Sequence, residues 1–304
     1  MRVAALSGGV GGARLLHGLE RCLPPGRLTA IVNVGDDLEH WGLSICPDLD
    51  TVMYTLADLA PVARGWGIEG ETFHALEAMR RLGAPDWFAL GDRDLATHLR
   101  RSEALRRGEP LSAVTAGLCR ALDVRSNVLP ATDDPLRTHV ETRDGRTLPF
   151  QEWLVREQAP RVARIRLEGP RRPAPRVLEA LERADVVVFG PSNPYVSIDP
   201  ILAVDGVRDA CRQKPVVMVS PIVGGQAVKG PLADMLQDLA GRAPAPAAVR
   251  DHYGALVSHV VVERGEAAGL DGVRVLEAET LMTTRERSRV LAEALLDHAL
   301  GNVR

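Results

Sequence analysis

Cysteine is sparse and scattered in this sequence: Cys22, Cys46, Cys119 and Cys211 are its thiols in 304 residues, and no CxxC pair brings two together. That spacing excludes a zinc or disulfide framework and fits a reducing compartment, the cytoplasm. Long apolar runs are absent as well. No eighteen consecutive apolar residues occur, and the opening MRVAALSGGVGG has neither the apolar segment nor the small-residue cleavage site of a secretory signal, so no membrane partner is expected. Neither charge sign dominates. Thirty-seven Lys and Arg against forty Asp and Glu leave a formal charge of -3, with no basic stripe interleaved with aromatics, which argues against nucleic acid as a partner.

Several catalytic signatures are missing too. HExxH, GxSxG, GKS and GKT do not occur, so zinc hydrolysis, acyl transfer from a serine elbow and a P-loop all lose support. What is present is the composition of an ordinary globular protein, 45% hydrophobic and 25% charged. At this length roughly three quarters of the unfolded surface can be buried without a staple.

Val3 to Leu6, Ala13 to Leu23 and Leu28 to Val34 read as a β-α-β opening. Asp185 to Phe189, Pro215 to Val219 and Val257 to Val262 are further strands, too apolar for a half-exposed edge. Helices are expected over Arg176–Arg183, Pro231–Leu239 and Arg285–Leu300. The economical fold is a Rossmann-like, doubly wound, mostly parallel α/β sheet in a single domain spanning 1–304. Residues 50–125 lack a strong strand signal and read as a helical insertion covering the substrate site, with helices over Leu49–Leu59, Thr72–Leu82, Asp94–Arg107 and Ser112–Leu122. Asp144-Gly145 marks a small hairpin over 138–148.

Gly8, Gly9, Gly11 and Gly12 follow the first strand and open the first helix, where free N–H groups and the helix dipole favour a phosphate. The dinucleotide fingerprint is incomplete, because the third glycine is missing at its usual offset. Asp36 and Asp37 end the second strand, and Asp48 and Asp50 follow within reach. Asp48 is a candidate helix cap. Carboxylates gathered beside a phosphate loop repel one another unless a hard cation intervenes, which points to Mg2+ on Asp36, Asp37 and Asp50. Asp50 and Asp36 are also the candidate catalytic groups, with Asp50 either a metal ligand or a base. Ser192, Asn193 and Pro194 end one buried strand, while Ser220, Gly224, Gly225 and Lys229 follow the next. These two loops suit a nucleotide base or phosphate, with Lys229 as a point charge. Six of the eleven Phe, Trp and Tyr residues lie within 41–88, Trp87 among them, and the charged LGDRD segment follows directly. A flat ligand could stack there.

Taken in order, SGGVGGARLL, NVGDD, CPDLDTVMYTL, LGDRDLATHL, LPATDDP, GPSNPYVSI, SPIVGGQAVKGP and TLMT resemble the 2-phospho-L-lactate transferase family of coenzyme F420 biosynthesis, and its bacterial, phosphoenolpyruvate transferase-like branch in particular. The resemblance runs through nearly the whole chain. It implies a Rossmann-like fold, Mg2+ dependence and a homodimer. It also implies a transfer of substituted phosphate: a phosphoenolpyruvate or 2-phospho-L-lactate moiety moves from a guanosine diphosphate ester to the ribityl hydroxyl of the deazaflavin Fo, releasing GMP. The family's deazaflavin-contacting aspartate and arginine fall on Asp50 and Arg93 by motif, and its nucleotide loops on Gly8 to Gly12, Ser192 to Pro194 and Ser220 to Gly225.

Two other readings compete. A related regulatory class binds UDP-sugars through a similar glycine loop, but there the acidic pair is usually followed by Gly-Gly-Ser-Ser, where this sequence has Leu38-Glu39-His40-Trp41. A nicotinamide-dependent oxidoreductase rests only on the β-α-β opening and the acid after the second strand, and the incomplete fingerprint counts against it.

Overall fold

The computed structural model describes residues 1–299 and 301. Seven strands form the central sheet: β1 (Val3–Ser7), β2 (Leu28–Val32), β3 (Asn127–Pro130), β4 (Val186–Phe189), β5 (Val216–Val219), β6 (His259–Glu263) and β7 (Arg274–Ala278). Their spatial order is β7-β6-β5-β4-β1-β2-β3, and every neighbouring pair is parallel. This is the doubly wound α/β arrangement, in which the chain winds outward in both directions from β1. The direction of winding therefore reverses between β1 and β4.

Register places the loops that matter along one edge. Ser7 lies opposite Val32, Leu6 opposite Phe189, Phe189 opposite Met218, and Val219 opposite Val261. The glycine loop, Asn33 to Asp37, Gly190 to Pro194 and Ser220 to Gly225 thus all leave the sheet on its C-terminal edge, where open α/β sheets bind ligands.

Helix α1 (Gly9–Cys22) buries Leu15, Leu16 and Leu19, each contributing roughly 1.5–3 kcal/mol when fully buried. It starts four residues before the expected Ala13, because the glycines carry no apolar periodicity to read. Its other side meets the C-terminal helix (Arg285–Ala299) so closely that a Cβ on Gly18 would sit 2.0 Å from the Ser288 carbonyl. Leu300, expected to end that helix, lies outside the described residues, as do residues 302–304.

The chain between β2 and β3 carries α2 (Pro47–Leu56), α3 (His74–Arg81), α4 (Asp94–Arg106) and α5 (Leu111–Ala121), preceded by a short hairpin of Leu38–His40 with Leu43–Ile45. The Asp144-Gly145 turn joins antiparallel strands Arg137–Thr142 and Thr147–Pro149, with Gly145 at φ 87°. A third strand, Val162–Glu168, pairs on the other side of Arg137–Thr142. Phe150 and Trp153 fill a small core under this sheet.

Candidate active site

The glycine loop is shaped by its neighbours. Ser192 Oγ accepts from the Gly8 N–H at 3.2 Å and donates to the Gly8 carbonyl at 2.7 Å, stitching the β4 loop to the β1 loop. A Cβ on Gly11 would come within 2.6 Å of the Pro191 carbonyl oxygen, and one on Gly12 within 2.2 Å of Ser7 Oγ. Those two positions are glycine because protein atoms already fill the space. Gly9 differs: its φ is +64°, and nothing lies within 4 Å of where a Cβ would be. Space is thus left beside Gly9 at the N-terminal end of α1, where the helix dipole is positive.

Asp48 does not cap α2. Its Oδ1 accepts the Gly9 N–H at 2.7 Å and its Oδ2 accepts from Asn33 Nδ2 at 2.9 Å. The carboxylate is therefore part of the glycine loop. Asn33 reaches in the other direction as well, accepting the Gly35 N–H at 2.8 Å, and so fixes the turn that presents Asp36 and Asp37. Both of these aspartates are buried, and Asp36 Oδ1 and Asp37 Oδ1 have no hydrogen-bond partner. Burial, with Asp48 and Asp37 beside it, raises the Asp36 carboxyl well above its ordinary range. Burial pushes Asp37 up to about 7, against the charge of Arg137, and Asp48 up to about 6.

Asp50 is held from the insertion. Arg101, wholly buried, clamps it with both terminal nitrogens; Nη1 lies 3.0 Å from Oδ2, and Nη2 meets Oδ1. His98 stands between two acids, with Nδ1 3.6 Å from Asp50 Oδ2 and Nε2 3.2 Å from Asp94 Oδ1. Tyr54 donates its hydroxyl to Asp94 at 2.5 Å. Asp94, His98 and Arg101 follow one another at i, i+4 and i+7 on α4, so they form one inward polar stripe whose spacing is present in the sequence. Asp50, Asp94 and His98 also lie close enough to share an ion. Arg101 beside them supplies the positive charge that cluster needs, and imidazole is a poor ligand for Mg2+.

Arg93 is exposed at the start of α4. Its Nη1 donates to the Glu69 carbonyl at 2.9 Å and its backbone N–H to Glu71 Oε1 at 2.7 Å. Among the described residues no hydrogen bond joins it to Asp50. The aromatic residues of the insertion separate into two groups. Trp41 and Phe88 pack against Leu43, Ile45 and Leu90 as a local core, and Tyr54 is buried. Trp87 instead lines a cleft of about 260 Å³ together with Asp36, Asp37, Arg137 and Phe150.

On the β4 and β5 side, Asn193 Oδ1 accepts the Tyr195 N–H at 3.0 Å as a cap, leaving its Nδ2 against Met235 Sδ, a weak acceptor. Pro194 is buried behind it. Ser220 Oγ is used within its own turn, bonding to Ile222 at both N–H and carbonyl. Gly224 donates its N–H to Glu266, Gly225 is exposed, and Lys229 Nζ donates to the Arg64 carbonyl at 3.1 Å.

Comparison with known proteins decides among the readings. The sequence model of the family described as 2-phospho-L-lactate transferase CofD matches residues 3–291. The chain belongs to the CofD family. As a CofD-family member it is a transferase of coenzyme F420 biosynthesis. It is 44% identical to the phosphoenolpyruvate transferase of Thermobifida fusca over 317 aligned positions, covering 99% of this chain and 98% of that protein. It is 43% identical to the phosphoenolpyruvate transferase of Nocardia farcinica, covering 98% and 95%. Among solved structures, the Bacillus halodurans protein BH3568 superposes with a TM-score of 0.64 at 21% identity, covering 97% of this chain and 99% of that one. At that identity the likeness extends to the fold and no further. No helix among the described residues is long and apolar enough to cross a membrane.

Proposed function

We propose that this CofD-family protein moves a phosphoenolpyruvyl moiety from a guanosine diphosphate ester to the terminal ribityl hydroxyl of Fo, releasing GMP. The observation that supports this reading is a glycine loop with space beside Gly9, joined through Asp48 and Asn33 to the turn that carries two buried, unpartnered carboxylate oxygens on Asp36 and Asp37, which line a cleft with Trp87. The enolpyruvyl donor is favoured over the lactyl one by the names of the relatives.

Mg2+ fits this donor set. Asp36 and Asp37 offer hard oxygen atoms whose burial and mutual repulsion disfavour their charged forms, and a divalent cation relieves both costs. Asp36, Asp37 and Asp50 would have to draw together to hold it, because among the described residues it is Asp50, Asp94 and His98 that already bring three ligand atoms within reach of one ion; when bound it would neutralise the diphosphate. Arg101 keeps Asp50 oriented while each carboxylate oxygen retains a second lone pair. Asp36 Oδ1, which has no hydrogen-bond partner, would take the proton of the attacking hydroxyl once its own carboxyl is ionised. Trp87 supplies a flat wall for the deazaflavin, and Arg93 a hydrogen bond to it. GMP is a good leaving group, so positioning and charge neutralisation matter more than a strong general acid.

Calorimetric titration with GDP, UDP-N-acetylglucosamine and NADH in the presence of Mg2+ tests the class of function. GDP should bind and the other two should not. Selective binding of the UDP-sugar would instead support the regulatory reading.

A further inference from the structure

On the flank of the glycine loop away from the carboxylates, three cations converge without an acid. Arg14, five residues into α1, donates through Nη1 to the Met282 carbonyl at 3.0 Å and through Nη2 to the Val62 carbonyl at 2.6 Å. Arg64 donates through Nε to the Trp66 carbonyl at 3.0 Å, its guanidinium lying 4.4 Å above the Trp66 ring. Lys229, one of two lysines in the sequence, bonds to the Arg64 carbonyl. Among the described residues none of the three meets a carboxylate; all of these partners are backbone carbonyls. Gly65 brings the chain over α1 so closely that a Cβ would sit 2.3 Å from Val10 Cγ1 and 3.2 Å from Arg14 Nη2. The segment between Leu59 and Glu69, closed at its base by a 2.8 Å backbone bond, thus lies across the first turns of α1. Three like charges gathered at one place repel, and partial desolvation together with Arg14 and Arg64 lowers the pKa of the Lys229 ammonium. An anion placed among them would offset that repulsion.

We infer that Arg14, Arg64 and Lys229 hold the phosphate that departs with the nucleotide. This inference rests on the proposed transfer from a guanosine diphosphate ester. In that transfer the ribityl oxygen bonds to the phosphorus bearing the three-carbon acid. The bond from this phosphorus to the bridging oxygen breaks, the bridging oxygen leaves with the electron pair as the phosphate of GMP, and the hydroxyl proton goes to Asp36. Entering and leaving oxygens stand in line on opposite sides of the phosphorus. Asp36, Asp37 and Asp50 come from the β2 side of the glycine loop, and Lys229 from the β5 side, so attack from the first directs the leaving phosphate toward the second. Charge grows on that phosphate as the bond breaks, and fixed cations are most effective where charge develops.

Binding of GMP, guanosine and phosphoenolpyruvate to the full chain, measured by calorimetry for the wild type, Lys229→Met, Arg64→Met and Arg14→Lys, tests the assignment. Lys229→Met and Arg64→Met should each weaken GMP by about 10- to 100-fold while leaving guanosine unchanged. Arg14→Lys, which keeps the charge and loses the planar fork, should weaken GMP less than either. Equal losses for GMP and guanosine would mark the cations as merely structural, and unchanged GMP binding would remove them from the site. Weakened phosphoenolpyruvate with intact GMP would give them to the transferred acid. Each of these overturns the inference. A wild type that binds neither GMP nor GDP would overturn the nucleotide-donor reading itself, which separates the two failures.

Discussion

Asp50 and Arg101 form a pair whose members cannot be altered independently. Arg101→Met leaves the Asp50 charge buried without its partner and should cost about 3–5 kcal/mol in urea unfolding. Asp50→Asn leaves the guanidinium similarly exposed to a neutral amide, so loss of turnover in that variant will come with a lower melting temperature. The double variant Asp50→Leu with Arg101→Met separates the effects: stability should largely return and activity should not. Recovery of turnover in the double variant would remove Asp50 from the chemistry. Gly11→Ala provides a contrast at the loop, because its methyl would meet a backbone oxygen that cannot rotate away. It should destabilise by about 1–3 kcal/mol, and a wild-type melting curve would show that the β4 loop yields.

At the scale of elements, the turn after β2 and the start of α2 bring Asp36, Asp37 and Asp48 together as a proton-binding unit. With pKa values raised from 3.8 to about 7 and about 6 in Asp37 and Asp48, and higher than normal in Asp36, these groups keep protons in the folded state that the unfolded chain has released. Their contribution to stability is present below about pH 4 and is lost as pH rises through about 7. His17, lowered to about 4, acts in the opposite direction, but equally with and without a cation. The rise in melting temperature on adding Mg2+ should therefore grow from pH 5 to pH 8, with proton release on binding. A pH-independent increment would place the ion away from these carboxylates.

The same elements show what the sequence could convey. Strands β4, β5 and β6 are legible because burial on both faces makes them continuous runs of Val, and the β-α-β opening is legible from its glycine punctuation. Strand β7 at the sheet edge has no buried residue and mixes Arg and Glu with Val and Leu without alternation, while β3 is four residues ending in proline, so neither stands out from loop. Asp36, Asp37 and Asp50 are findable as acids near a phosphate loop. Asp48 is misread as a cap because its hydrogen bond to Gly9 spans 39 positions, and Arg101 is missed because its partner Asp50 lies 51 positions away and the other arginines of α4 mask the i, i+4, i+7 spacing.

At the scale of the whole molecule, the account places donor and acceptor on separate parts of one sheet edge. In the proposed reaction the nucleotide would lie over β1, β4 and β5 and the deazaflavin under the insertion, and tethering the ring would bring the reacting hydroxyl to the diphosphate. Arg93, held at the start of α4 by Glu69 and Glu71, is the arginine proposed for the acceptor. Arg93→Ala should raise the KM for Fo at least tenfold and leave GDP affinity within twofold, by the loss of about one charged hydrogen bond. Equal loss of both, or loss of neither, would contradict separate pockets.

The most direct test is turnover itself, followed by mass spectrometry of the products, with purified protein, Mg2+, Fo and the guanosine diphosphate esters of phosphoenolpyruvate and 2-phospho-L-lactate offered one at a time. The account predicts GMP in equal amount with a phosphodiester of Fo, formed faster from the enolpyruvyl donor, and lost in Asp36→Asn without loss of GDP binding. Fo recovered unmodified from both reactions, with the protein folded and binding GDP, would contradict it.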